Sequence, residues 1–97
     1  MEIEQRKEIY QRVIDTWGAR SQLEMAQEEA TELALAIRRL IRGKDNAMQE
    51  LVGEIADVEI MIEQIKYMNP ECVSVIEKTK TFKLNRLTER LNNNKYN

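Results

Sequence analysis

Glu28-Glu29-Ala30-Thr31-Glu32-Leu33, answered further along by Glu54-Ile55-Ala56-Asp57, is the pair of stretches on which the reading of this 97-residue chain turns. Each sets two carboxylates three residues apart, Glu29 with Glu32 and Glu54 with Asp57, inside a run of helical periodicity. Residues three apart on a helix lie one above the other on the same face. Met25, Glu29, Glu32, Ala36 and Leu40 fall on one stripe, with Leu33 beside it. Ala47, Leu51, Glu54, Asp57, Val58, Met61 and Ile65 fall on another. Four acids therefore project with the apolar residues rather than away from them. Uncompensated carboxylates are costly there, and like charges at this spacing repel. The pattern predicts a positive partner between them.

Working outward, each stretch lies in its own helix. The first runs from about Gln22 to Arg42: Ser21 to Glu24 reads as a capping box, Arg38, Arg39 and Arg42 crowd the C-terminal turns, and Gly43 stops it. The second starts from Asp45 or Asn46 as N-cap and continues to about Met68, with Gly53 inside it at a cost of about 1 kcal/mol relative to alanine. That glycine is read as a close helix–helix approach. The link between the two helices is short enough only for an antiparallel hairpin. Upstream, Ile3, Tyr10, Val13, Ile14 and Trp17 predict a helix from Ile3 to Trp17, closed by Gly18. Downstream, Asn69 as N-cap and Pro70 at the first helical position open a fourth helix carrying Val73, Ile76, Leu84, Leu87 and Leu91. That helix also carries Lys78, Lys80, Lys83, Arg86 and Arg90. The expected fold is all-α: one domain over residues 1–97, four helices up and down around a central hairpin, with a frayed tail over 92–97.

Composition removes several functions. A net charge of -2 argues against a polymeric nucleic-acid binder. No apolar run approaches the roughly twenty residues that cross a bilayer. The N-terminus lacks the basic and apolar regions of a signal peptide, and the single Cys72 forms no internal disulfide; both point to the cytoplasm. There is no histidine, which excludes imidazole zinc sites, Ser-His triads and Glu-x-x-His di-iron sites.

Across an antiparallel hairpin the two acid pairs stand at similar distances from the turn, so they come to one level. Four convergent oxygens without nitrogen or sulfur donors suit a hard cation, Mg²⁺ or Mn²⁺. Magnesium keeps waters and shares itself with substrate phosphates, so a phosphorylated small molecule is the implied substrate. The basic cluster of the fourth helix is then a candidate to meet its remaining charge. The five methionines read as core filler.

Glu-Glu-x-x-Glu-Leu followed across a hairpin by Glu-Ile-Ala-Asp resembles the signature of the MazG-like, all-α nucleoside triphosphate pyrophosphohydrolases. Trp17-Gly18 with Gln22, the run Val58-Glu59-Ile60-Met61 and the Lys-x-x-Lys-x-x-Arg of the fourth helix look like short stand-alone members. The similarity spans roughly Trp17 to Arg90. It implies hydrolysis of a nucleoside triphosphate between the α- and β-phosphates, with Mg²⁺ held by Glu29, Glu32, Glu54 and Asp57. Glu28 is then the extra acid that orients or deprotonates the attacking water. Lys80, Lys83 and Arg86 are the implied phosphate contacts, and Trp17 and Gln22 the implied base contacts. The resemblance also implies a dimer, or a dimer of dimers, built by pairing hairpins. The competing expectation is a non-catalytic helical oligomer that binds nucleotides or acts as an adaptor.

Overall fold

The computed structural model describes residues 1–94 and consists of four helices: α1 (Ile3–Trp17), α2 (Ala19–Ile41), α3 (Ala47–Met68) and α4 (Cys72–Asn94). The all-α expectation holds, and no strand occurs among the described residues. None of these helices is long and apolar enough to cross a membrane. Lys95 to Asn97, half of the tail expected to fray, lie outside the described residues; Asn92 to Asn94 continue α4.

The joints explain the order of the helices. Gly18, at φ 90°, serves as C-cap of α1 and N-cap of α2 at once, its N–H donating to the Ile14 carbonyl at 2.8 Å. A positive φ costs glycine little, so the chain changes direction in one residue and the helix restarts immediately. This overturns the Ser21–Glu24 capping box: Ser21 lies inside α2, which begins three residues before the expected Gln22. Arg42 caps the other end, one residue beyond the last helical one. There Gly43 adopts φ 68°, its N–H donating to Leu40 and that of Lys44 to Arg39, at 3.0 and 3.1 Å. This is the paired bonding of a Schellman motif, which satisfies carbonyls that a helix end leaves open. Asn46 is the N-cap of α3, as one of the two expected candidates, but at φ 61° its side chain makes no capping bond. Asn69 and Pro70 also depart from expectation. Asn69 closes α3, its N–H and its side-chain amide both donating to the Ile65 carbonyl (3.0 and 3.1 Å), Pro70 lies in the turn, and α4 opens at Cys72.

The packing centres on the antiparallel α2–α3 hairpin. Its seam on α2 is Gln22, Ala26, Glu29, Leu33, Ala36 and Leu40, all buried or half-buried. These are two interleaved heptads, 22–29–36 and 26–33–40. Ala47, Leu51, Glu54, Val58, Met61 and Ile65 answer from α3. Met25 and Glu32, expected on the same stripe, lie on its exposed rim, because the leucines at 33 and 40 turn the seam toward themselves. Near the turn, Ala36 and Ala47 are almost wholly buried, and Arg39 pairs with Glu50 at 3.2 Å. Gly53 has no atom within 4 Å of where its Cβ would stand, so within this chain it marks no close helix approach.

Helix α1 crosses the open end of the hairpin. Tyr10, buried at 5% exposure, donates its hydroxyl to Glu63 at 2.8 Å, and Arg6 pairs with the same carboxylate at 3.1 Å. Burial, then the hydrogen bond to Glu63, pushes the Tyr10 phenol up to about 12. Helix α4 contrasts with the rest. Only Cys72 and Ile76 are half-buried, and every residue from Glu77 to Asn94 is exposed.

Candidate metal centre

The acids of the two stretches do meet, three of the four at close range. One carboxylate oxygen from each of Glu29, Glu54 and Asp57 lies within 4.8 Å of the other two. Helix α2 carries Glu29 in its seam with Ala26 and Leu33 on either side, and α3 carries Glu54 and Asp57 one turn apart across from it. Glu29 and Glu54 are half-buried and Asp57 is exposed, so the cluster opens to solvent on the side of Asp57. Partial burial, then the charges of Asp57 and Glu54, raise the Glu29 carboxyl above the ordinary range.

One atom is out of balance. Glu54 Oε2 is buried and has no hydrogen-bond partner, and it is the sole such side-chain atom among the described residues. Buried polar atoms are almost always satisfied, and an orphan asks for a missing group. Nor does any lysine or arginine among the described residues pair with Glu29, Glu54 or Asp57. The positive partner that the sequence predicts is not supplied by the described part of this chain. The donor set is carboxylate oxygen alone, which fits Mg²⁺ or Mn²⁺ and gives softer metals no preferred ligand.

The remaining candidates lie elsewhere. Glu32 is exposed, one turn from Glu29 and outside the cluster; Glu28 is exposed and likewise takes no part in it. Lys80, Lys83 and Arg86 lie on the exposed length of α4. There Lys80 reaches Glu77 at 3.5 Å, and the Arg86 guanidinium stands 5.8 Å from the centre of the Phe82 ring. Nothing brings them to the acids within one chain.

Trp17 and Gln22 do come together. Both line an open cleft of about 390 Å³ between α1 and the hairpin, walled also by Tyr10, Met25 and Met61. Trp17 is 64% exposed. Gln22, 5% exposed, accepts a 3.0 Å hydrogen bond from Gln64, itself 3% exposed. Gln64 escaped the sequence reading, although a polar residue seven positions after Asp57 sits in the same register as Gln22 seven before Glu29. Two polar layers thus cross one seam, about 10.5 Å apart along the helix axes.

The fold and cluster define the class: an all-α chain whose central hairpin carries an oxygen-only acid cluster. Compared with models of protein families, with curated proteins and with solved structures, the chain matches none.

Proposed function

We propose that this chain is a divalent-cation-dependent hydrolase of nucleoside triphosphates that yields the monophosphate and pyrophosphate. The observation that carries the reading is the three-carboxylate cluster with its orphaned Glu54 Oε2. The order of the two acidic stretches around a hairpin, which resembles the MazG-like pattern, favours this reaction over other uses of a hard cation.

Glu29, Glu54 and Asp57 would hold the ion, with Glu32 adding negative charge one turn away. A bound cation would neutralise phosphate oxygens and lower the pKa of water so that hydroxide is available near neutrality. The chain's own residues do the rest. The acids at the cluster fix where the phosphates lie, since the substrate polyanion is repelled from this surface unless it arrives with its counter-charge. The half-buried seam keeps Glu29 and Glu54 from rotating into bulk solvent. In the cleft one layer away, the bonded Gln22–Gln64 pair leaves an amide donor and a carbonyl acceptor side by side for the edge of a base. The exposed Trp17 ring offers a stacking face on the same cleft. Water adds to the α-phosphorus and gives up its proton to solvent, the bond from that phosphorus to the bridging α–β oxygen breaks, and pyrophosphate leaves.

Incubation of the chain with ribo- and deoxyribonucleoside triphosphates and Mg²⁺, with the products resolved, tests the reading. Monophosphate with pyrophosphate, lost with a chelator and in Glu54→Gln, is the expected result. Diphosphate with orthophosphate would mean that a different bond is cut. Absence of turnover by a folded chain whose stability responds to Mg²⁺ would favour the nucleotide-binding or adaptor alternative.

A further inference from the structure

We infer that the Gln22–Gln64 pair reads the edge of a base in either polarity, so that the cleft beside Trp17 takes amino and keto bases alike: cytosine with uracil, adenine with hypoxanthine. This deepens the function proposed above and rests on it, since the base belongs to the nucleotide held at the acid cluster.

The two side chains are almost wholly removed from solvent, at 5% and 3% exposure, and share one bond, in which Gln64 Nε2 donates to Gln22 Oε1 at 3.0 Å. Each amide has a second terminal atom, Gln22 Nε2 and Gln64 Oε1. Neither of these takes part in that bond, and neither is an orphaned buried atom, a description that fits Glu54 Oε2 alone among the described residues. Both residues line the cleft of about 390 Å³, so their free atoms meet its interior. The edge on offer is a donor beside an acceptor.

Nothing holds that edge in one polarity. Turning both amides over exchanges nitrogen for oxygen at each position. Gln22 Nε2 then donates to Gln64 Oε1, and the free edge becomes an acceptor beside a donor. Both arrangements have the same shape and keep one amide–amide bond. A third polar group could break the tie, but no charged side chain lines the cleft. The Tyr10 hydroxyl is already committed to Glu63 at 2.8 Å. Ser21, the hydroxyl neighbour on the lining, donates or accepts by rotation and imposes no polarity.

The bases differ by the same reversal. Uracil presents the N3–H donor beside the O4 acceptor, whereas cytosine presents the N3 acceptor beside the N4 amino donor. Hypoxanthine and adenine repeat the contrast at N1 and the six-position. A uracil whose O4 accepts from Gln22 Nε2, and whose N3–H donates to Gln64 Oε1, can be replaced in the same place by cytosine once the amides turn. A pair fixed in one polarity would set donor against donor and discriminate by roughly 10- to 100-fold. The rest of the cleft is equally indifferent. The exposed Trp17 ring offers a stacking face, which every base can use. The acids lie about 10.5 Å away along the helix axes, a step that a sugar and the α-phosphate bridge.

Trp17 is the sole tryptophan, so its fluorescence reports occupancy of the cleft. The probes are the α,β-methylene triphosphates of uridine, cytidine, inosine and adenosine, which cannot be cut between the α- and β-phosphorus, titrated with Mg²⁺ present. Dissociation constants should agree within about threefold in each amino–keto pair, well inside the discrimination of a fixed edge. The 3-methyluridine analogue, blocked at the edge that the pair reads, should bind about tenfold more weakly or worse. Gln22→Leu/Gln64→Leu should weaken all four by a similar factor, on the order of tenfold. An amino–keto difference of about tenfold or more overturns the inference. So does equal binding of the uridine and 3-methyluridine analogues, a comparison made on the wild-type chain that needs no variant to fold. Failure of all four to bind overturns it as well. Turnover separates the two readings. Ordinary triphosphates left uncut, with binding as expected, would defeat the hydrolase reading alone; cleavage with a strong amino–keto bias would defeat this inference alone.

Discussion

Glu29→Gln should stabilise the cation-free chain and destroy its response to a divalent ion. The native side chain holds its charge within 4.8 Å of two other carboxylates. At that separation, a like-charge pair costs about 0.9 kcal/mol in a water-like medium and about 3.5 kcal/mol at an effective dielectric of 20. Asp57 is exposed and the cluster opens to solvent, so the lower figure governs. Two pairs relieved by a neutral isostere give about 1–2 kcal/mol. For a domain of this length, that raises the thermal midpoint by about 4–12 °C.

The pH dependence carries the same sign. A carboxyl raised in the folded state takes up a proton more readily folded than unfolded, so acidification from neutrality should recover stability that is lost as pH rises through the folded value. The variant should lack that increment. With Mg²⁺ at a hundredfold excess over its dissociation constant, the wild type should gain about 2.7 kcal/mol, and the variant little. Circular dichroism melts in chelator and in Mg²⁺ read all of this. A Glu29→Gln chain less stable than wild type in chelator would refute the cluster itself, whatever the reaction.

Three further substitutions probe the frame around the site. Tyr10→Phe removes a hydrogen bond to a carboxylate and should cost about 1.5–3 kcal/mol; in the wild type, ultraviolet difference titration should place the phenol near 12, with α1 coming loose as pH climbs from 10 toward that value. Gln64→Leu strands the Gln22 amide and should cost about 1–3 kcal/mol, most of which Gln22→Leu/Gln64→Leu should return. In a denaturation cycle, additive single effects would mean that the pair is not bonded. Gly53→Ala should stabilise by about 1 kcal/mol, since nothing lies within 4 Å of the added carbon; a loss of stability that grows with protein concentration would place a second copy against that turn of α3.

The helices were legible because their punctuation is chemical. Gly18 and Gly43 stop α1 and α2 where left-handed backbone is needed, and the spacing of leucines and isoleucines identifies the hairpin. The two errors of helix punctuation share one cause: side chains with two uses. Ser21 and Asn69 have the chemistry of N-caps, but Gly18 restarts the helix too early for Ser21 to serve, and Asn69 bonds backward to Ile65. Within the site, periodicity put Glu29, Glu54 and Asp57 at one level, and geometry agrees. It also put Glu32 there, because a spacing of three keeps residues on one broad face without fixing which lies at the centre of a seam. That centre is set by Leu33 and Leu40, and Glu32 falls on its rim. Gln64 was passed over because glutamine in a helix is ordinarily solvated; its meaning came from a partner 42 residues away.

The seam itself ties the site to the assembly. A hairpin with polar layers at Gln22–Gln64 and Glu29–Glu54–Asp57 gives up much of the apolar contact that would hold two helices together, and among the described residues no large side chain is fully buried. Apolar burial at about 25 cal/mol per Å² is the main source of stability for so small a fold. Repulsion within the acid cluster draws it down further, and a bound cation would offset that repulsion. Such a chain should be poorly stable alone, and two additions would relieve different deficits: an ion would remove repulsion inside the seam, and a second copy would cover the leucines outside it. If both act on one site, their effects must be linked. Mg²⁺ should then tighten the association of copies, and dilution should weaken the binding of Mg²⁺ by the same factor. Sedimentation across a range of Mg²⁺ concentrations measures that coupling; equal association constants with and without the ion would separate the two surfaces and leave the acid cluster a property of each chain alone.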